Sequence, residues 1–366
     1  MQTIDAREGT VFADISARLA TAARNPGGMS LTWEVKLFSK TRLSTYKNCL
    51  QLIEAYGEFA PWWERVLLAT FAGIGPPLGR VLGGNTKSLW RQADRIVGDV
   101  FATSGMTPRE IAEALRQYAD LKRHEDHHLP CEKARDAIYN QSFYPLVTHF
   151  TLAFQPSAAA RLRFVRRVVG SIYRPGAIVA DLGCGAGAIL CEVMQAKPTW
   201  SGYGLDISEA AIDYARRLAV HKKVADRLQF QTGSITDLPY ADGSLDVVIA
   251  SEVVEHLPDP EQVFGEIARV LAPGGRLIIT MPVESHTPAH VHSLTNAAEL
   301  SELCEQAGLG VSNIENKWHV SYGDDRKHIF AVAEARPEIQ IAPEPASYSL
   351  LPPQMSSAAS SGIVSS

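Results

Sequence analysis

The chain has 366 residues, of which 46% are hydrophobic and 20% are charged, and its formal net charge is −5. This composition is typical of a soluble globular protein, and the length predicts two domains. The negative charge argues against a protein whose whole surface binds nucleic acid.

The cysteines form no Cys-x-x-Cys pair and their number is odd. This pattern favours reduced thiols in the cytosol over a disulfide framework or a zinc cluster. The first residues carry charges and no apolar stretch, so we expect no signal peptide and a cytoplasmic location. The five cysteines are Cys49, Cys131, Cys184, Cys191 and Cys304.

The first part of the chain, residues 1–155, has a helical pattern. Apolar residues recur at helical spacing in 45–59 and 88–101. Thr107-Pro108-Arg109-Glu110 predicts a helix start, because it combines a cap, a proline at the first helical position and an acid three residues after the cap. The apolar face of that helix would comprise Ile111, Leu115 and Tyr118. We expect an N-terminal helical domain.

Residues 62–82 are unusually apolar, and no charge occurs between Val66 and Leu78. Glycines and prolines interrupt the run, which is too short and too broken for a transmembrane helix. In one interpretation Trp62 and Trp63 anchor a helix pair in a membrane interface, giving a weak membrane contact. We favour a buried helical hairpin or a lid, because short apolar runs more often lie in a core.

Two charged stretches allow either a binding role or a solvated surface. Residues 123–131 contain three histidines, but the spacing of known zinc sites is absent, which favours a solvated helix end. Further on, four arginines alternate with apolar residues in a predicted amphipathic helix. They could contact nucleic acid, although such charges are more often solvated. They are Arg161, Arg163, Arg166 and Arg167.

A glycine-rich turn follows the apolar run 178–182, which predicts a buried strand. The turn reads Asp-Leu-Gly-Cys-Gly-Ala-Gly and leads into a helix whose N-terminus suits a carboxylate or phosphate. A second strand, 202–206, ends in Asp206, about 20 residues after the last glycine, where an acid reaches the hydroxyl pair of a ribose. The turn has the spacing Gly-x-Gly-x-Gly, unlike the usual dinucleotide fingerprint.

With these residues the chain resembles the class I S-adenosylmethionine-dependent methyltransferases. The resemblance implies that the first motif holds the methionine moiety, that Asp206 binds the ribose and that Ile207 packs on adenine. In the third motif the family usually has Gly-Asp, whereas this chain has Gly233-Ser234, whose hydroxyl can still accept a hydrogen bond. The cofactor residues predicted in this way are Asp181, Gly183, Cys184, Gly185, Gly187, Asp206, Ile207, Ser234, Ile235 and Ser251.

Strands and helices alternate over 156–336, which predicts an α/β domain with a mostly parallel sheet and helices on both faces. The resemblance implies a Rossmann-like sheet of seven strands whose last pair is antiparallel, and it assigns this range to the methyltransferase domain. The helical domain 1–155 would then cover the methyl acceptor. Residues 337–366 are rich in proline, serine and alanine and should be disordered.

A second group of polar residues follows the strand predicted over 245–250. Glu252, Glu255 and His256 are spaced so that one helical turn would place them on one side. With a later histidine they resemble the Glu-Glu-His-His metal site of small-RNA 3′-terminal 2′-O-methyltransferases; ubiquinone-pathway O-methyltransferases also carry such a turn. His292 is the best fourth ligand by position and His290 the second choice, and Mg²⁺ or Mn²⁺ would suit the set. Alternatively, many family members carry Glu-His here without a metal.

These observations favour a methyltransferase that acts on a hydroxyl of a small molecule. His256 or His292 would accept the hydroxyl proton as a general base, or a metal would lower the pKa of the hydroxyl. Two alternatives remain. A metal-dependent RNA 2′-O-methyltransferase is disfavoured by the negative charge and by the lack of a basic run interleaved with aromatic residues. A catalytically inactive cofactor-binding scaffold stays open because of Ser234.

Overall fold

The computed structural model describes residues 95–336, except for positions 108–109, 112, 116, 119–138, 140, 155, 285–289 and 322–323. Several predictions fall outside the described residues. They concern Cys49, the apolar stretch 62–82, the histidine-rich stretch 123–131 with Cys131, and the tail 337–366. Across the part of the chain that is described, no helix combines the length and the hydropathy needed to cross a bilayer.

The centre of the molecule is a seven-stranded sheet with the order β3-β2-β1-β4-β5-β7-β6. Strand β7 runs antiparallel to both β5 and β6, and the other neighbours are parallel. This confirms the predicted α/β class and the antiparallel last pair. The strands are β1 (Ile178–Leu182), β2 (Ser201–Asp206), β3 (Leu228–Thr232), β4 (Leu245–Ser251), β5 (Leu271–Val283), β6 (Leu309–Ser321) and β7 (Asp324–Ala335).

Helices cover both faces of the sheet, as predicted. Phe150 of α1 and Leu162 of α2 belong to one core, which also contains residues of α3 and α4. Phe264 of α5 and Leu300 of α6 belong to the core on the other face. The helices are α1 (Tyr144–Phe154), α2 (Pro156–Ser171), α3 (Ala188–Ala196), α4 (Glu209–His221), α5 (Pro260–Val270) and α6 (Ala297–Gln306).

Strand β5 is long, with 13 residues, because it begins directly after α5 ends at Val270. Leu271 pairs with Leu245 of β4, and the register then shifts before Val247 pairs with Arg276. The Pro273-Gly274-Gly275 sequence is therefore accommodated as an irregularity within the strand.

The described residues before α1 pack against the same core as the sheet. Residues 95–104 are helical, and Ile96 and Val100 belong to the core that contains Val179 of β1. The predicted helix start at Thr107 is confirmed: its backbone N–H and its hydroxyl donate to Glu110 Oε2, at 2.7 and 2.8 Å. The domain boundary after residue 155 remains a prediction.

Candidate functional site

A cavity of about 220 Å³ lies at the carboxyl ends of β1, β2 and β4. Ligands bind at this edge in open α/β sheets, because the loops that follow the strands converge there. The walls come from the glycine-rich loop after β1, the end of β2, the loop after β3, the turn after β4, and helices α1 and α2.

The glycine-rich loop requires its glycines for backbone conformation and packing. Gly183, Gly185 and Gly187 all have positive φ, at 66°, 51° and 70°, which residues with a Cβ rarely adopt. A Cβ on Gly183 would come within 2.3 Å of Val253 Cγ2, and one on Gly187 would come within 2.7 Å of Ala215 Cβ. The loop can therefore turn sharply into α3, which begins at Ala188 directly after Gly187.

Asp206, at the end of β2, fixes the glycine-rich loop in place. Its Oδ2 accepts a hydrogen bond from the N–H of Gly185 at 2.8 Å, and its Oδ1 accepts one from the N–H of Ser208 at 2.9 Å. Burial raises the pKa of Asp206, although these N–H groups favour the ionised form. Each carboxylate oxygen has a further lone pair with which to accept a hydroxyl.

Of the ten predicted cofactor residues, all except Asp181 and Gly187 line the cavity. Ile207 is 58% exposed, whereas Ile235 is buried. The Ser234 hydroxyl lies 2.7 Å from Thr236 Oγ1, and Ser251 Oγ lies 2.9 Å from Thr280 Oγ1. The individual ligand contacts of these residues remain predictions.

Asp181 lies beneath the loop rather than in the cavity wall. It is buried, and its Oδ2 has no hydrogen-bond partner within the described structure. Burial, and then the charge of Asp206, raises the pKa of Asp181 to about 8. Asp181 therefore favours its uncharged carboxyl form, which is unusual for an aspartate.

Glu252 does not form a single helical turn with Glu255 and His256, so that expectation was wrong. Glu252 adopts a left-handed φ of 57°, and the helical part is a 3₁₀ turn over Val254–His256. Glu252 Oε2 is 2.9 Å from Arg161 Nη1 and 3.2 Å from His328 Nε2. Burial opposes ionisation, but Arg161 and His328 hold the pKa of Glu252 well below its usual value.

Glu255, His256 and His290 form a compact group whose potential ligand atoms all lie within 4.8 Å of one another. Glu255 is buried, and its Oε2 has no hydrogen-bond partner among the described residues. Burial and the charge of Glu252 raise the pKa of Glu255 well above its usual value. The structure thus brings together two of the four predicted metal ligands, Glu255 and His256, with His290, which was the second choice for the fourth ligand.

His292, the preferred fourth ligand, is not a member of that group. Its backbone N–H donates to the carbonyl oxygen of Glu255 at 3.0 Å. Its imidazole is near Glu299, whose pKa is lowered by hydrogen bonds from Thr295 and, to a smaller extent, by His292. The catalytic role assigned to His292 remains a prediction, whereas His256 lines the cavity.

Six residues that precede β1 line the cavity without a motif to identify them: Tyr139, Tyr144, Thr148, His149, Leu152 and Arg161. The Tyr139 hydroxyl lies 2.9 Å from His256 Nε2 and 3.2 Å from His256 Nδ1. Burial lowers the pKa of His149 to about 3, so this imidazole is neutral. Arg161 was expected on a solvated or nucleic-acid-binding face, but it pairs with Glu252 instead.

Comparisons with known proteins find similarity to methyltransferases. Residues 174–334 match a family described as "Methyltransferase domain". A probable S-adenosylmethionine-dependent methyltransferase of Mycolicibacterium smegmatis is 31% identical over 184 residues, which cover 46% of this chain and 67% of the relative. The chain belongs to the class I S-adenosylmethionine-dependent methyltransferases.

The relatives that carry more specific names are matched over part of their length. The 27-O-demethylrifamycin SV methyltransferase of Amycolatopsis mediterranei is 37% identical over 174 residues, 47% of this chain and 58% of that protein. The chain spans 28% of a probable tocopherol O-methyltransferase of Oryza sativa. A solved structure of phosphoethanolamine N-methyltransferase 2 from Haemonchus contortus is 16% identical, with a TM-score of 0.47 over 57% of this chain and 60% of that chain.

Proposed function

We propose that the protein transfers the methyl group of S-adenosylmethionine to a hydroxyl group of a small molecule. The observation that carries the proposal is the arrangement of Asp206 and the glycine-rich loop around the cavity that His256 also lines. Asp206 can accept the ribose hydroxyls through its remaining lone pairs. The exposed side chain of Ile207 supplies an apolar surface for adenine.

For this reaction the protein mainly has to position the acceptor and the methyl donor. When bound, S-adenosylmethionine supplies an electrophilic methyl group on a sulfonium. Asp206 and the glycine-rich loop would hold this molecule, and attack of the acceptor oxygen on the methyl carbon would release the sulfur with the electron pair of the broken carbon–sulfur bond. The residues lining the cavity hold the reacting atoms in line, and this supplies much of the rate acceleration.

His256 accepts the proton that the acceptor hydroxyl loses, since its ring lies in the cavity wall. The Tyr139 hydroxyl is in contact with this ring. Burial raises the pKa of Tyr139 well above its usual value, so the phenol stays neutral and does not compete as a base. The edge-on packing of the two rings, with centroids 5.1 Å apart, restricts the orientation of His256.

The small-molecule acceptor is supported by the names of two relatives, a rifamycin methyltransferase and a probable tocopherol O-methyltransferase. A radiolabelled methyl group from S-adenosylmethionine, offered with a cell extract, tests the proposal. We expect label in the small-molecule fraction. Label in RNA would instead support the RNA 2′-O-methyltransferase, and S-adenosylmethionine binding without any transfer would support the inactive scaffold.

A metal-assisted version of the reaction has its own support in the group of Glu255, His256 and His290. The carboxylate and two imidazoles are a mixed donor set, which suits Mn²⁺ better than the all-oxygen preference of Mg²⁺. The unpartnered Oε2 of Glu255 is the kind of buried polar atom that a cation would satisfy. A cation held by these residues would lower the pKa of the acceptor hydroxyl.

Manganese binding can be measured by electron paramagnetic resonance without reference to activity. We expect the full chain, after EDTA treatment, to bind one Mn²⁺, and we expect His290→Ala to abolish this binding. His292→Ala is the matched control and should bind Mn²⁺ as the unaltered chain does. Turnover that is indifferent to EDTA, together with no bound Mn²⁺, would remove the metal from the proposal.

A further inference from the structure

Arg161 differs from the other arginines of α2 in its surroundings. Its side chain is 19% exposed, whereas the side chains of Arg166 and Arg167 are 46% and 59% exposed. Among the residues that the structure describes around the cavity, Arg161 is the single lysine or arginine. Two carboxylates, Asp206 and Glu252, line the same cavity.

The guanidinium of Arg161 has more donor groups than its surroundings use. It carries five N–H donors and no acceptor. Glu252 Oε2 is the partner of Nη1 at 2.9 Å. The Nε atom is buried and has no hydrogen-bond partner in the described structure. Unsatisfied buried donors are uncommon in proteins and often mark a place where an ion or ligand binds.

Glu252 fixes the position of Arg161. Besides contacting Arg161, its carboxylate contacts His328 of β7 and accepts a hydrogen bond from the Thr280 hydroxyl of β5. The backbone N–H of Glu252 donates to the Thr280 carbonyl at 2.9 Å. Glu252 therefore contacts both β5 and β7. It pairs with one side of the Arg161 guanidinium and leaves other N–H donors of Arg161 for a second acceptor.

We propose that Arg161 binds the carboxylate of the amino-acid end of the methyl donor, with Glu252 as its positioning residue. This inference rests on the proposed function, which brings that carboxylate into the cavity. A carboxylate that leaves water requires a paired charge, and Arg161 supplies the cation together with unused N–H donors. A planar guanidinium matches a carboxylate better than an ammonium group does.

The test compares two ligands that differ by one carboxylate. S-adenosylmethionine and decarboxylated S-adenosylmethionine share the adenosine, the sulfonium and the amino group. Calorimetry on the full chain measures the affinity for both. We expect Arg161→Met to weaken the binding of S-adenosylmethionine about tenfold to a hundredfold, as for the loss of a charge-assisted hydrogen bond. The affinity for the decarboxylated ligand should change less than about threefold.

Two further variants control for folding and for charge. Arg163→Met changes an exposed arginine of the same helix that does not line the cavity, and it should bind both ligands normally. Arg161→Lys keeps the charge without the planar fork and should give an intermediate loss for S-adenosylmethionine alone.

The outcomes separate this inference from the proposed function. Equal losses for both ligands in Arg161→Met, or unchanged binding of S-adenosylmethionine, would overturn the role of Arg161 while leaving the proposed function intact. If the unaltered chain binds neither ligand, the proposed function itself is contradicted. If Arg161→Met does not fold, the Arg161→Lys variant decides by the same comparison of ligands.

Discussion

Asp206 joins the glycine-rich loop to the second strand. Its two carboxylate oxygens each accept a backbone N–H, one from Gly185 and one from Ser208. The residue therefore shapes the site before a ligand arrives, and its remaining lone pairs are available to a ribose. A single residue thus acts on both the local fold and the proposed binding.

Asp206→Ala should reduce the affinity for S-adenosylhomocysteine by at least about a hundredfold, because hydrogen bonds to a charged group contribute about 1.5–3 kcal/mol each. Isothermal titration calorimetry measures the effect. Asp213→Ala is the control, since Asp213 is exposed on α4 and pairs with Arg216. Affinity retained by Asp206→Ala within about threefold would contradict the assignment.

Asp181 should make the stability of the ligand-free protein depend on pH. Its pKa is about 8 in the folded chain and about 3.9 in an unfolded chain. The folded state therefore holds a proton that the unfolded state releases. The resulting contribution of Asp181 to the free energy of unfolding is complete below about pH 4 and is lost as the pH rises towards about 8.

Asp181→Asn should flatten that dependence, since the amide does not titrate. The difference in unfolding free energy between the two proteins should change by up to about 1.4 kcal/mol per pH unit between about pH 5 and 7. Urea denaturation at several pH values gives this difference. Parallel curves for the two proteins would show that Asp181 is ionised in the fold.

The sequence predicts the location of site residues best where their arrangement depends on local spacing. Asp206 and the three glycines could be predicted because a strand, a turn and a helix follow one another in a short stretch. Arg161 and Tyr139 could not, because they reach the cavity from segments before β1 that contain none of the motif residues. Their position depends on how those helices pack, and no local pattern encodes it.

In the turn between β1 and α3, an added methyl group at Gly183 would come closer to another atom than at any other described glycine. A Cβ at Gly183 would meet Val253 at 2.3 Å, whereas a Cβ at Gly265, exposed in α5, would meet no atom within 4 Å. Gly183→Ala should destabilise the protein by about 1–3 kcal/mol through overpacking and the positive φ. Gly265→Ala should leave stability unchanged or raise it by up to about 1 kcal/mol. Thermal unfolding compares the two variants, and equal effects would contradict this account of the loop.

Strands could be predicted more reliably than the turn after β4. Apolar runs placed β1 and β4 within one residue of their observed ends, because a strand buried on both faces is apolar throughout. The spacing of Glu252, Glu255 and His256 suggested one helical turn, but the left-handed φ of Glu252 separates it from the other two. The interactions with Arg161 and His328 that accompany this conformation come from distant parts of the chain.

Buried charges also connect the helical residues 95–104 with α3 and the end of α4. Asp99, in the helical residues 95–104, pairs with Lys222 at 2.6 Å, and both side chains are less than 10% exposed. Lys222 is also 3.4 Å from Glu192 of α3. This network holds the region before α1 against α3 and the end of α4.

Asp99→Asn should lower the free energy of unfolding by about 1.5–3 kcal/mol, because it removes one of the two carboxylates that pair with the buried Lys222. Asp213→Asn, which removes an exposed ion pair, should change it by less than about 1 kcal/mol. Chemical denaturation monitored by circular dichroism measures both. A loss below about 1 kcal/mol for Asp99→Asn would show that the helical region does not depend on this pair.

A structure of the full chain with S-adenosylhomocysteine is the most direct test of the central claim. We predict that the ribose hydroxyls lie within hydrogen-bonding distance of Asp206, that the adenine lies on Ile207, and that the sulfur faces the side of the cavity lined by His256. Electron density for the ligand at another place, or a cavity that stays empty at saturating ligand, would contradict the account.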